Sequence, residues 1–228
     1  MDQPFKNDII AVVPHQPVGW LETKVNETIM TRLHTYIDTA QEKYDVQGTE
    51  AAQGFQHLTS YDLEDVDDWF FKTTLVPLVN AYNQQYPGYE KLNSVLTKNV
   101  PYKMNRFWVN FMKEGQSLPA HDHDGVYAFT IWITIPYDWR DQHGFTYQKK
   151  EHIKEGTPSN SNFPKASDFE FHYLSILGKQ LYHSKYLDKE SQGGILFFPA
   201  KMMHCVQPFF NNDGTRVSIS GNLCYDVS

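Results

Sequence analysis

"GQSLPAHDHDGVYAFTIWITIPYDW", residues Gly115–Trp139, joins four consecutive ionisable side chains, His121, Asp122, His123 and Asp124, to an apolar run rich in β-branched and aromatic residues. Such a run, bounded by turn formers, reads as a strand. The reading extends outward in both directions. Beyond Lys98 the chain is a series of short β-rich segments: "RFWVNFMKEG", "DFEFHYLSIL", "KQLYHSKYL", "GGILFFPA" and "RVSISGNLCYDV". Before it the period is 3.6. Ile29, Leu33, Tyr36, Ile37 and Ala40 recur at spacings of three and four, which predicts a helix from Asn26, its cap, to about Tyr44. "DLEDVDDWFFKTTLVPLVNAYNQQY" predicts a second helix to about Tyr86, kinked or divided at Pro77, with Glu64, Asp65, Asp67 and Asp68 suited to its N-terminus. A mainly β fold with a helical N-terminal layer is expected, as one domain over residues 1–228. Residues 98–228 would form the β core and 1–97 its helical support, with the helices of residues 22–86 covering one face of the core.

The formal charge of −7 gives no basic footprint for nucleic acid. No apolar run approaches the roughly 20 residues that span a bilayer, and "MDQPFKNDII" lacks the features of a signal peptide. Two cysteines, Cys205 and Cys224, form neither a disulfide framework nor a CxxC pair, which suits the reducing cytoplasm. Both are expected in the core.

An isolated HxH reads more readily as a polar turn with solvated histidines than as a metal site. A second group of residues near the C-terminus makes that reading harder to keep: "GGILFFPAKMMHCVQPFFNNDGTRVSISGN" puts His204 five residues after Pro199 and Arg216 twelve after His204. On a strand Arg216 and Ser218 share a face, polar within an otherwise apolar barrel, which suits a ligand pocket. His121 and His123 obey the same parity, so in an extended segment both can reach one metal ion while Asp122 and Asp124 turn away. The polar stretch of residues 138–167 is long for a connection and is a candidate lid, whose Lys149, Lys150 and Lys154 could meet an acidic substrate or simply be solvated.

These residues, in this order, resemble the 2-oxoglutarate and Fe(II)-dependent oxygenases. Gly115 stands six before His121, "LFFP" precedes His204, and Arg216-Val217-Ser218 is similar to the RxS signature that holds the distal carboxylate of 2-oxoglutarate. Asn110 falls where several members contact that cosubstrate. "WVNFMKEGQSLPAHDHDGVYAFTIWITIPYDW" followed by "GNL" is closer still to small oxygenases of large tailed phages, which carry PxHxHxG in place of HxD. The resemblance implies a double-stranded β-helix (jelly roll, cupin-like), Fe(II) and 2-oxoglutarate as cofactors, and a hydroxylase acting on an unidentified small molecule or protein side chain.

The usual ligand set is two histidines and a carboxylate, and here His123 stands at the carboxylate position. Three readings stay open. Iron is held by His121, His123 and His204, with Asp122 or Asp124 supporting from behind. Alternatively, a bulge brings Asp124 to the metal. In the third, His123 is the proximal ligand and Gly125 leaves a vacancy. Two other classes compete: a three-histidine cupin metalloenzyme without 2-oxoglutarate, which would not need Arg216 and Ser218, and a non-catalytic jelly-roll interaction protein. Trp108, Tyr127, Trp132 and Phe197 could line a pocket or fill the core.

Overall fold

The computed structural model describes residues 19–47, 52–53, 59–89, 100–148, 165–175 and 177–227. Most of the candidate lid, with its three lysines, lies outside them. The strands are β1 (Leu21–Lys24), β2 (Ala52–Gln53), β3 (Thr59–Asp62), β4 (Tyr102–Met112), β5 (Leu118–His121), β6 (Tyr127–Thr134), β7 (Phe169–Leu174), β8 (Gln180–Lys185), β9 (Gly194–Pro199), β10 (His204–Val206) and β11 (Arg216–Tyr225). The α-helices are α1 (Glu27–Gln47), α2 (Val76–Gln85) and α3 (Trp139–Gln148). A seven-stranded sheet, β1-β9-β6-β11-β4-β3-β2, faces a four-stranded sheet, β5-β10-β7-β8, and every pairing is antiparallel. This is a double-stranded β-helix with a helical N-terminal layer.

Register assigns the two faces of the large sheet. Arg216, Ser218, Ser220 and Asn222 of β11 stand opposite Met112, Asn110, Trp108 and Arg106 of β4. Across the other edge Ser218, Ser220 and Asn222 face Trp132, Thr130 and Ala128 of β6. Directly paired residues share a face, so this row looks into the barrel. The odd-numbered set, including Val109, Tyr127, Phe129, Phe197 and Ile219, forms the opposite face and packs under Leu33, Tyr36 and Ile37 of α1 and Val79 and Tyr82 of α2. Burying these stripes against each other is what holds the helical layer on the barrel. Tyr127 and Phe197 are thus core residues beneath the helices, and Trp132 is core inside the barrel.

Asn26 caps α1 as expected, accepting from the Ile29 amide at 3.0 Å. The second helical stretch differs from expectation in detail. A 3-10 turn at Val66–Asp68 and a π-turn at Phe71–Leu75 precede α2, and Pro77 sits in the first turn of α2. Proline there has no amide to donate, and the wide turn before it relieves the clash with the preceding carbonyl. Of the acidic run, Asp65 has the clearest role: its carboxylate accepts from the Phe70 and Phe71 amides, both at 2.8 Å, and from the Tyr36 hydroxyl at 3.0 Å. Asp65→Ala removes all three bonds and should cost about 2–3 kcal/mol of unfolding free energy. Chemical denaturation checks this, and an unchanged midpoint would show that Asp65 does not anchor the helix. The N-terminal third is also less purely helical than expected, since β1, β2 and β3 extend the edges of the large sheet.

Candidate metal centre

Backbone pairing brings the histidines together before any side chain chooses a rotamer. His204 of β10 stands directly opposite His121 of β5, and their rings lie 4.3 Å apart, centre to centre. His123 lies in the loop after β5, with its ring 4.9 Å from that of His204 and 5.1 Å from that of His121. That loop is tied at several points. The His123 amide donates to the Ala200 carbonyl at 2.8 Å, Asn222 Nδ2 donates to the Asp124 carbonyl at 2.8 Å, and the Val126 amide donates to the Leu223 carbonyl at 2.7 Å. Gly125 turns the chain with φ +102, and a Cβ there would meet the Leu223 carbonyl at 2.5 Å. Only glycine fits such a turn.

One ligand atom from each of His121, His123 and His204 lies within 4.8 Å of the others. Two of the tautomers follow from their partners. His121 Nδ1 is 2.7 Å from the Pro119 carbonyl and His204 Nδ1 is 2.9 Å from the Met202 carbonyl. A carbonyl can only accept, so each Nδ1 carries the proton and each Nε2 keeps its lone pair for a metal. Burial, then the neighbouring His121, depresses His123 to about 4. Burial likewise drives His204 down to about 3, against the opposing bond to Met202 and with help from His121 and His123. Both imidazoles are neutral at neutral pH, as ligation requires.

The sign of the pH dependence follows. These two groups have folded pKa values below the ordinary 6.5, so below that pH the unfolded chain binds protons that the folded one refuses. Their contribution is intact above 6.5 and is lost as pH falls. The metal-free protein should lose stability from pH 6.5 downward, approaching about 1.4 kcal/mol per pH unit for each histidine. Melting temperatures that stay flat over that range would contradict the burial of both rings.

The other candidates separate clearly. Asp124 has a side chain 96% exposed and lies 3.7 Å from Lys201, which also sits 3.5 Å from Asp122. Neither carboxylate hydrogen-bonds a histidine ring among the described residues. Support from behind comes instead from the Pro119 and Met202 carbonyls, which sequence could not reveal. Gly125 serves the turn, and His121 stands with His123 and His204 in the cluster.

The histidines open onto a cavity of about 610 Å³, whose wall includes Asn110, Ser218, Thr130, Trp108 and, at the outer end, Asn105 and Arg106. Arg216 does not line this cavity. It lies two residues along β11 from Ser218, on the same face, and is 2% exposed. Its guanidinium donates to the Tyr137 hydroxyl at 2.8 Å and to the Gln207 and Ser167 carbonyls at 3.1 and 3.3 Å, and it rests on Met112 Sδ and the Phe209 ring. Among the described residues no carboxylate pairs with it. A buried cation held only by neutral groups retains charge for an anion.

Residues 106–222, just over half of the chain, match the family described as "Putative 2OG-Fe(II) oxygenase". Among solved structures the chain is similar to the non-heme alpha-ketoglutarate-dependent carbocyclase SnoK from nogalamycin biosynthesis. That match has a TM-score of 0.51 and 10% identity, with 90% of this chain and 79% of that one covered. It is also similar to a Pseudomonas putida prolyl-4-hydroxylase, with TM-score 0.49, 12% identity, and coverage of 92% and 94%. A third match is the viral collagen prolyl hydroxylase from Paramecium Bursaria Chlorella virus-1, in its 2OG complex, with TM-score 0.47, 11% identity, and coverage of 91% and 96%. At 10% identity the likeness to the carbocyclase concerns fold alone, and it agrees with the two-sheet barrel. No curated protein sequence matches the chain.

Proposed function

The chain belongs to the 2OG-Fe(II) oxygenase family, and on that premise we propose that it is a hydroxylase whose iron is held by His121, His123 and His204. Fe(II) and 2-oxoglutarate are its cofactors, and the residues present suit both. Three imidazoles form a donor set that iron accepts, and a buried guanidinium without a carboxylate partner suits a dianion. When bound, the metal supplies the redox chemistry that couples oxidative decarboxylation of 2-oxoglutarate, giving succinate and carbon dioxide, to oxidation of a substrate C–H bond. The observation that carries this reading is the convergence of three imidazoles on a cavity whose wall includes Ser218, two residues along β11 from the buried Arg216.

The protein's share is binding, orientation and exclusion of water. His121, His123 and His204 bring no negative charge to the metal, so the cosubstrate dianion contributes more of the neutralisation than it would beside a ligating carboxylate. Arg216 supplies the cationic anchor for the distal carboxylate, Ser218 adds a hydroxyl on the same face, and Asn110, opposite Ser218 in register, offers an amide to the same ligand. Phe169 and Phe198 pack on His204 and keep its surroundings dry. The substrate, a small molecule or a protein side chain, enters past Asn105, Arg106 and Trp108. Residues 98–228 act as the catalytic core and residues 1–97 as its support within one domain. The Pro119-x-His121-x-His123-x-Gly125 pattern favours kinship with small oxygenases of large tailed phages. The free thiols of Cys205 and Cys224 suit the cytoplasm, and no helix among the described residues is long and apolar enough to cross a membrane.

Incubation with Fe(II), oxygen and 2-oxoglutarate should release succinate slowly even without substrate, and omission of Fe(II) should stop it. A protein that binds iron yet neither forms succinate nor binds 2-oxoglutarate would move the reading to a three-histidine metalloenzyme of another class.

A further inference from the structure

Behind the histidine centre, on the outer face of the four-stranded sheet, lies a second cluster of metal-ligating side chains. Adjacent residues of a strand point to opposite faces, so His204 turns inward and Cys205 outward. Cys205 stands opposite Glu170 of β7, and His172 is two residues further along the same face. Sγ of Cys205 lies 3.4 Å from His172 Nε2 and 3.5 Å from Glu170 Oε2, and His172 Nε2 lies 3.9 Å from Glu170 Oε2. A tetrahedral zinc-type ion with ordinary metal–sulfur, metal–nitrogen and metal–oxygen bonds separates such ligands by about 3.3–3.6 Å. Two of the three edges therefore already fit, and the nitrogen–oxygen edge needs to close by about half an ångström.

We infer that Glu170, His172 and Cys205 form a second metal site, selective for a borderline divalent ion of the zinc class, that clamps β10 to β7. Sulfur, imidazole and carboxylate together favour such an ion over a hard cation such as magnesium. Glu170 and Cys205 are 3% and 5% exposed, whereas the His172 side chain is 23% exposed. Solvent reaches the cluster from the histidine side, and a water completes the fourth position there. The cations nearby do not exclude the ion. Lys165 pairs with Glu170 Oε1, leaving Oε2 directed at the thiol and imidazole. With Cys205 ionised, the cluster including Lys165 still carries one net negative charge. Binding breaks the S–H bond, forms the metal–sulfur bond and sends the proton to solvent. Gln207 Nε2 lies 2.7 Å from Glu170 Oε2 and 3.5 Å from Cys205 Sγ, and Ser184 Oγ lies 3.2 Å from Glu170 Oε1; both steady the ligands from the side. Because the clamp acts on β10, it also fixes the strand that carries His204.

Titration of the metal-free protein with Co(II) tests this, because cobalt thiolate gives a near-ultraviolet charge-transfer band that imidazole alone does not. Two equivalents should bind, one with the band. The band should persist in His121→Ala and in Cys224→Ser and vanish in Cys205→Ser. His172→Gln, at a partly exposed position that should fold, ought to raise the Co(II) concentration at half-saturation of the band by about tenfold or more, since loss of even an outer partner of a metal site costs about 10–100-fold. A parent protein without the band, a band that survives in Cys205→Ser, or half-saturation unchanged in His172→Gln would each overturn the site.

Discussion

His204→Ala is expected to abolish stoichiometric Fe(II) binding at the inner centre, weakening it by more than about a hundredfold. The reason is geometric as well as numerical. His204 is 3% exposed, its Nδ1 is committed to the Met202 carbonyl, and its ring is sandwiched among Phe169, Phe171 and Phe198. The imidazole is thus presented in one tautomer and one orientation, so the metal gains a ligand that needs no reorganisation. Two histidines remain after the substitution, too few to hold a labile divalent ion, and the rings around position 204 lose a packing partner. His121→Ala should remove iron equally while disturbing the core less, because His121 is only half-buried. Asp124→Ala, at a side chain 96% exposed, should leave iron binding unchanged. Anaerobic titration followed by metal analysis of the desalted protein, with circular dichroism as the control for folding, decides the matter. Full occupancy in His204→Ala, or loss of iron in Asp124→Ala, would overturn the three-histidine assignment.

The parts of this molecule that could be read in the sequence are those whose physics leaves a period or a spacing. Continuous apolar runs mark β6 and β9, which bury both faces, and apolar residues at alternate positions mark β4 and β11, which pack one face under the helices. The helix period marks α1 because Leu33, Tyr36 and Ile37 must meet the sheet. Arg216 and Ser218 could be placed on one face because strand parity is rigid, and the register with Met112 and Asn110 keeps them there. What could not be read lacks such a signal. β1 is four residues long with three of them exposed, and β10 has only three residues, so neither shows a pattern. The π-turn before α2 depends on how Phe70 and Asp65 pack, and Pro77 alone indicates only a disturbance. The approach of Lys201 to Asp122 and Asp124 joins residues nearly eighty positions apart and leaves no local pattern. The carbonyls that orient His121 and His204 are backbone atoms and carry no residue signature. Glu170, His172 and Cys205 come from two strands distant in sequence and become neighbours only when β7 pairs with β10.

Arg216→Leu should leave iron binding intact and weaken 2-oxoglutarate by roughly a hundredfold or more. The distal carboxylate of that cosubstrate needs a cationic partner in a dry site. Removing one member of such a pair costs on the order of 3–5 kcal/mol, because the other charge is left buried and unpaired. The guanidinium lies in the barrel under Tyr137 and Phe209, with only neutral acceptors around it among the described residues. Nothing else in that row carries positive charge until Arg106, six residues away in paired register at the cavity's outer end. Leucine also strands the Ser167 and Gln207 carbonyls, so thermal stability should fall alongside, and Arg216→Lys is the needed companion. Lysine keeps the charge but loses the two-pronged grip, so it should recover part of the affinity. Ser218→Ala removes one neutral hydrogen bond, worth about 1 kcal/mol, and should cost only about fivefold. The readout is the visible charge-transfer band that 2-oxoglutarate gives when it chelates Fe(II) without oxygen, titrated in parent and variants. A graded order of parent, Ser218→Ala, Arg216→Lys and Arg216→Leu is the expected result. An Arg216→Leu protein that retains iron and binds 2-oxoglutarate as tightly as the parent would place the carboxylate elsewhere and leave the buried guanidinium a purely structural tie between Tyr137, Ser167 and Gln207.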